Sequence, residues 1–208
     1  MKTRIGRLCV ITDMNIQKKY SHIDIAKMAV KSGADILQFR DKFMSTSDLI
    51  ETAFRIKKIC SKSKIKFIVN DRIDVAMIVD ADGVHLGKED ITVSEARKLL
   101  GNHKIIGATA HSLSEALIAQ KDGADYIGFG HIYPTYSKTK TTKPKGLKLL
   151  KLVVRSINTP ILAIGGIDLT NAADVIAIGV FGVAVIGAVV KSTNPVQTIK
   201  TLKGIIYA

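Results

Sequence analysis

KFIVNDRIDVAMIVDADGVHLGKED (66–90) is the stretch from which the fold is read. Two short apolar runs, KFIVN and GVHLG, each lead into acids: Asp71 directly after the first, Asp90 shortly after the second. RIDVAMIVD between them is too short and too apolar for a loop and reads as a buried helix. If both runs are neighbouring parallel strands, both acids stand at carboxyl ends and face the same side of one sheet. Each acid then has two readings. It is the cap of the helix that follows, or it is an oxygen ligand. Two carboxylates backed by the amide of Asn70 suit Mg²⁺, which takes one or two protein carboxylates and fills its other positions with water and substrate phosphate.

The same unit repeats along the chain. LCVIT (8–12) precedes HIDIAKMAVKSG, DILQFR (35–40) precedes SDLIETAFRIKKICSK, and KFIVN (66–70) precedes RIDVAMIVD. GVHLG (83–87) precedes TVSEARKLLG, KIIGAT (104–109) precedes SLSEALIAQKDG, and YIGFGHIY (126–133) leads through a polar loop to LKLLKLVVRSI. PILAIGGI (160–167) precedes NAADVIAIG, and GVAVIGAVV (182–190) precedes PVQTIKTLKGIIY. Helix starts carry capping residues: Ser47, Thr92, Ser112 with Glu115 three residues on, and Asn171. Gly33, Gly101, Gly123 and Gly179 stop the helices. Eight strand–helix units, with no GxGxxG after the first strand, predict a closed (β/α)₈ TIM barrel of the α/β class rather than an open doubly wound sheet. No linker or compositional shift divides the 208 residues, so one domain spanning 1–208 is expected.

Composition narrows the setting. Cys9 and Cys60 form no metal-ligand spacing and suggest a reduced, cytoplasmic protein. The opening MKTRIGRLCVITD has an apolar run too short for the core of a signal peptide, and GVAVIGAVV falls well short of a membrane span. No membrane partner is expected. The 31 Lys+Arg against 18 Asp+Glu give a net charge of +13, which fits nucleic acid or small polyanions. Aromatic residues make up only 5% and Trp is absent, so the stacking platforms of single-strand binders are missing. Small polyanionic substrates therefore fit the composition better than nucleic acid; a homo-oligomer is compatible with the sequence.

In a barrel of this kind the site forms at the carboxyl ends of the strands, and phosphate commonly binds after strands seven and eight. Gln38, Arg40 and Lys42 follow the second strand at a spacing of two, which points at least the first pair to one face. Gln38 inside an otherwise apolar strand is hard to explain by packing. Asn70, Asp71, Asp90 and Thr109 follow strands three to five. PTYSKTKTTKPKG (134–146), after strand six, is a hydroxyl- and lysine-rich loop of the kind that acts as a lid. Glycines after strands seven and eight let backbone N–H groups approach a phosphate.

QFRDK (38–42), ND (70–71), ADGVHLGKED (81–90), GADYIGFGHIYPT (123–135), TPILAIGGI (159–167) and GVAVIGA (182–188) together resemble the motifs of the thiamine phosphate synthase family, over nearly the whole chain. The resemblance implies coupling of a pyrimidine-methyl diphosphate to a thiazole phosphate, giving thiamine phosphate and diphosphate, with Mg²⁺ as cofactor. It implies that Gln38, Arg40, Lys42, Asn70 and Thr109 hold the pyrimidine diphosphate, and that Asp71 and Asp90 bind the metal. Thr135, Ser137, Gly166, Ile186 and Gly187 would hold the thiazole phosphate, with Lys138 reaching both substrates. Arg40, Lys42, Thr109 and Lys138 would serve the chemical step. Two positions depart from the family pattern: Thr109 stands where Ser is frequent and keeps the hydroxyl, while Gly187 stands where Ser is usual and leaves only backbone donors.

The related thiazole tautomerases resemble this chain in fold and length and use a histidine in a Gly-His context, which Gly130–His131 reproduces. That branch generally lacks the acidic pair retained here. From a different class, a non-catalytic nucleic-acid or ligand-binding barrel would explain the charge but not inward polar residues at five strand ends. His85, His111 and His131 also read as hydrogen-bonded barrel histidines.

Overall fold

A computed structural model of the chain describes residues 5–14, 16, 19–135 and 143–208. Eight parallel strands close into a barrel in sequence order: β1 (Leu8–Asp13), β2 (Ile36–Arg40), β3 (Lys66–Asn70), β4 (Gly83–Leu86), β5 (Ile105–Ala110), β6 (Tyr126–Gly130), β7 (Ile161–Ile164) and β8 (Gly182–Val185). Closure is made by β1 against β8, with Leu8, Cys9 and Val10 in register with Val183, Ala184 and Val185. The predicted fold is the observed one. Among the described residues no helix is long and apolar enough to cross a membrane.

The helices begin and end where short-range chemistry places them. Ser21 opens α1 (His22–Ser32) with a reciprocal capping box to Asp24, and Thr92 does the same with Glu95 for α4 (Val93–Leu100). Ser112 accepts from Glu115 N–H at the start of α5 (Leu113–Lys121). The cap of α2 (Thr46–Cys60) is Ser45, which accepts from Asp48 N–H, and not Ser47 as expected; Ser47 is already the second residue of the helix, past the capping position. The apolar run 182–190 also divides: β8 stops at Val185 and Gly187–Val190 forms a short helix, α8, ahead of α9 (Pro195–Tyr207). A β-branched run gives no periodicity by which to see that break. The remaining helices are α3 (Ile73–Ile78), α6 (Gly146–Ser156) and α7 (Ala172–Ala177).

At the amino-terminal end of the barrel one device recurs three times. Asp35, Asp82 and Asp125, each following a buried alanine and preceding β2, β4 and β6, reach across to the neighbouring strand. Asp35 accepts from Leu8 N–H at 2.9 Å, Asp82 from Phe67 N–H at 2.9 Å, and Asp125 from Ile106 N–H at 2.8 Å. Each is matched by cations, Lys203 at 2.9 Å for Asp35 and Arg97 at 2.6 Å for Asp125. These carboxylates satisfy strand-start donors that no parallel partner reaches.

Asp35 carries the most of these contacts, since Tyr207 Oη also donates to it at 2.9 Å. Asp35→Ala strands the Leu8 amide at a buried strand start, at a cost of about 1–3 kcal/mol. Thermal melts are expected to show a fall of roughly 2–4 °C per kcal/mol, with turnover of the folded variant unchanged because the substitution lies at the barrel end away from the carboxyl termini. An unaltered melting temperature would show that the three contacts contribute nothing net.

Candidate functional site

A cavity of about 890 Å³ opens at the carboxyl ends of the strands. Its floor follows from strand alternation. Every second residue of a strand faces inward, which brings Cys9, Gln38, His85, Thr109, Tyr126 and Leu162 to one interior. Arg40, Lys42, Asn70, Asp71 and Asp90 stand along one rim, and Thr135, Gly166, Ile186 and Gly187 along another. All the expected site residues that are described therefore line the same cavity. Ser137 and Lys138, and with them residues 136–142 of the expected lid, lie outside the described residues.

Neither acid is a helix cap. Arg72 occupies the capping position of α3, with no side-chain bond to the helix, and Thr92 caps α4. Asp71 has φ 61°, in the left-handed region that non-glycine residues enter sparingly and Asp and Asn most readily. Its N–H donates to His85 O at 2.8 Å, and its Oδ2 lies 3.4 Å from Lys42 Nζ. Asp90 Oδ2 accepts from Gly87 N–H at 2.6 Å. A Cβ placed on Gly87 would stand 3.2 Å from Asp90 Oδ2 and 3.8 Å from Asp71 Oδ1, so the glycine leaves open the space on which both carboxylates converge. Burial, then the hydrogen bond and charge of Asp90, raise the Asp71 carboxyl above its ordinary value, against the pull of Lys42. Two hard oxygen donors with too little positive charge between them suit a divalent cation.

Arg40, on the same rim, is held by a partner not apparent from the sequence. Arg40 forms a buried ion pair with Asp13 at the end of β1, which aims the guanidinium along the wall. On the floor, beside Gln38, Tyr126 Oη lies 3.0 Å from His85 Nδ1, and His85 Nε2 lies 2.9 Å from Thr109 Oγ1. In the tautomer whose Nδ1 accepts a hydrogen bond from Tyr126, Nε2–H donates to Thr109 and leaves the threonine hydroxyl proton for the cavity. Burial pushes the Tyr126 hydroxyl well up, so it keeps its proton. A Cβ on Gly107 would come within 2.1 Å of the Tyr126 ring, which is why β5 has no side chain there. Burial and the Asp35 carboxylate likewise push up the Cys9 thiol on this floor, which leaves it protonated and a poor nucleophile.

The loop after β7 is packed too closely for any side chain. Gly165 and Gly166 have φ 97° and 68°, and a Cβ on them would stand 2.3 Å from His131 Cβ and 2.5 Å from Pro134 O. Asn171 does not cap α7 with its side chain, as expected for it; Oδ1 accepts from Asp168 N–H at 3.0 Å and Nδ2 donates to Gly166 O at 2.9 Å. It ties down the glycine loop instead. His131 lies on the cavity wall with 4% exposure, and His111 Nδ1 lies 2.5 Å from Gly130 O. Lys191 and Ser192, which the sequence reading passed over, also reach the rim; a polar pair just after the strand-eight glycine was the available signal.

The Asp71 carboxyl has a consequence for stability. An acid raised in the folded state makes the fold less stable as pH climbs from the ordinary carboxylate range through the raised value. Asp71→Asn removes that slope and keeps the left-handed backbone, which Asn tolerates. In chelator, the variant is expected to melt at or above the wild-type temperature at pH 7, the gap narrowing as pH falls toward about 4. A variant that melts lower at pH 7 would contradict the reading of a charge-strained pair.

The family pattern described as "Thiamine monophosphate synthase" matches residues 8–189. A thiamine-phosphate synthase of Chlorobium phaeobacteroides is 47% identical over 188 residues, covering 90% of this chain and 90% of that protein. One from Chloroflexus aurantiacus is 42% identical over 200 residues, covering 96% and 92%. Among solved structures, a thiamine phosphate pyrophosphorylase from Pyrococcus furiosus superimposes with a TM-score of 0.87 at 37% identity, covering 97% of this chain and 95% of that one. With this agreement along nearly its whole length, the chain belongs to the thiamine monophosphate synthase family.

Proposed function

We propose that this protein is a Mg²⁺-dependent thiamine phosphate synthase. It joins 4-amino-2-methyl-5-pyrimidinylmethyl diphosphate to a thiazole phosphate, or its carboxylate, and releases diphosphate. The observation that carries the reading is the placement of Asp71 and Asp90. Neither serves a helix, both converge at Gly87, and both stand on the cavity rim that also bears Arg40 and Lys42. The names of the relatives, thiamine-phosphate synthase, support the same activity.

In this reading Asp71 and Asp90 hold the metal, with Asn70 beside them. When bound, the cation neutralises the diphosphate and makes it a better leaving group. Arg40, Lys42 and Lys138 add fixed positive charge where negative charge builds up on that group. Gln38, Asn70 and Thr109 orient the pyrimidine, the last through a hydroxyl held in place by the Tyr126–His85 chain. As the C–O bond breaks, the aminopyrimidine carries the positive charge on its exocyclic methylene, and the thiazole nitrogen attacks it. No general base is needed. Thr135, Ser137 and the backbone at Gly166, Ile186 and Gly187 hold the thiazole phosphate, so the protein chiefly sets two anions side by side. Such proximity is worth several kcal/mol of barrier. Both substrates and both products are anions, which gives the +13 charge a use.

The retained acid pair favours this reading over thiazole tautomerisation through His131. The test is thiamine phosphate formation from both substrates, with and without Mg²⁺. Asp90→Asn keeps an oxygen for the Gly87 amide but not the anionic ligand; turnover is expected to fall about 10²-fold or more, the range for loss of one preorganised electrostatic partner, with partial recovery at high Mg²⁺. Normal turnover at an unchanged Mg²⁺ requirement would remove the metal assignment. His131→Ala is expected to retain most coupling when the aromatic thiazole phosphate is supplied, and a loss as deep as that of Asp90→Asn would reassign the histidine to the chemistry.

A further inference from the structure

The segment that carries Arg40 and Lys42 is braced from outside the cavity by a histidine. His22, the first residue of α1, is 4% exposed and packs edge-on against Phe39 at 4.8 Å between ring centres. Its Nδ1 lies 2.7 Å from Thr12 Oγ1 and its Nε2 lies 3.0 Å from Asp41 Oδ2. Asp41 stands between the two cations, and its Oδ1 accepts from Phe43 N–H at 2.8 Å and Met44 N–H at 2.9 Å. Thr12 Oγ1 in turn accepts from Arg40 N–H at 3.3 Å. An ionised Asp41 only accepts, which puts the imidazole proton on Nε2 and leaves Nδ1 to accept from Thr12. Donors and acceptors then match around a closed path: Arg40 amide, Thr12, His22, Asp41, and back to the chain at Phe43 and Met44.

We propose that His22 is a positioning residue for the diphosphate subsite: a strut from β1 to Asp41 that sets the conformation of residues 40–44 and so the placement of Arg40 and Lys42. The inference rests on the reading above that these two cations bind the diphosphate. Burial lowers the imidazole below its ordinary value despite Asp41, so the ring is neutral near pH 7 and adds no charge of its own. Its contribution is geometric. A neutral side chain that restores the hydrogen bond to Asp41 therefore substitutes for it, and the thiazole phosphate side of the cavity, built from the loops after β6, β7 and β8, is untouched by its loss.

The test is calorimetric binding of inorganic pyrophosphate with Mg²⁺, alongside KM for each substrate and thermal melts. His22→Leu is expected to weaken pyrophosphate binding about tenfold, the scale of one lost hydrogen bond to a charged group, and to raise KM for the pyrimidine substrate while KM for thiazole phosphate stays within twofold. His22→Gln should recover part of the loss, and His22→Leu should add little to Asp41→Ala, because both break the same strut. Should His22→Leu not fold, Thr12→Val and His22→Gln carry the comparison. Pyrophosphate affinity within twofold of wild type, or equal losses for both substrates, overturns the proposal when Lys42→Ala does weaken pyrophosphate binding. If Lys42→Ala leaves that binding intact, the diphosphate lies elsewhere and this inference falls together with the assignment on which it rests.

Discussion

Closure of the sheet is the constraint from which the rest follows. When β8 pairs with β1, all strand carboxyl ends point one way around one mouth, and no strand edge remains to be covered. Residues far apart in the chain then share one wall: Arg40 leaves β2, Asp71 follows β3 and Asp90 follows β4. Closure also makes the interior narrow, and the side chains that fill it are chosen in pairs. Tyr126 crosses the floor because position 107 is glycine, and His85 stacks beside it at 5.4 Å between ring centres because position 128 is glycine. The aromatic filling is thus also the hydrogen-bonded support for Thr109.

The two ends of the barrel use carboxylates for opposite purposes. At the amino-terminal end, Asp35, Asp82 and Asp125 are matched by backbone donors and by Lys or Arg, and they stabilise the closed sheet. At the other end, Asp71 has Lys42 at 3.4 Å but also Asp90 close by, and its left-handed backbone and raised carboxyl both cost stability. Such local cost is characteristic of functional positions. Arg40 is intermediate: Asp13 fixes its direction while cancelling part of its charge, which suits a group that must be in place before an anion arrives.

The barrel and the strand-end residues were legible in the sequence because both depend on short-range periodicity. KFIVN and GVHLG are short apolar runs ahead of acids and helical segments, as barrel strands are, and Gln38 and Arg40 two apart had to share a face. Capping was legible where Ser or Thr stood with Glu three residues on, as at Thr92, and misread where Ser45 and Ser47 competed within one turn. Asp13, His22 and Tyr126 were missed, and Asn171 was given to the helix rather than to the glycine loop, because each acts through a partner on another element or across a turn, and pairing of that kind leaves no local pattern. The strand-start acids had a visible sign in the repeated Ala-Asp at 34–35, 81–82 and 124–125, which becomes meaningful only once the strands are known to be neighbours.

The central claim is that Asp71 and Asp90 form one cation site facing the anion held by Arg40 and Lys42. The most direct test is anomalous diffraction from crystals grown with Mn²⁺ and pyrophosphate, Mn²⁺ serving as an electron-dense substitute for Mg²⁺. The account predicts one anomalous peak within coordinating distance of an oxygen from each carboxylate, with pyrophosphate oxygens bridging from it to Arg40 and Lys42. Pyrophosphate bound in the cavity with no metal at Asp71 and Asp90, or with metal held by other groups, would contradict it.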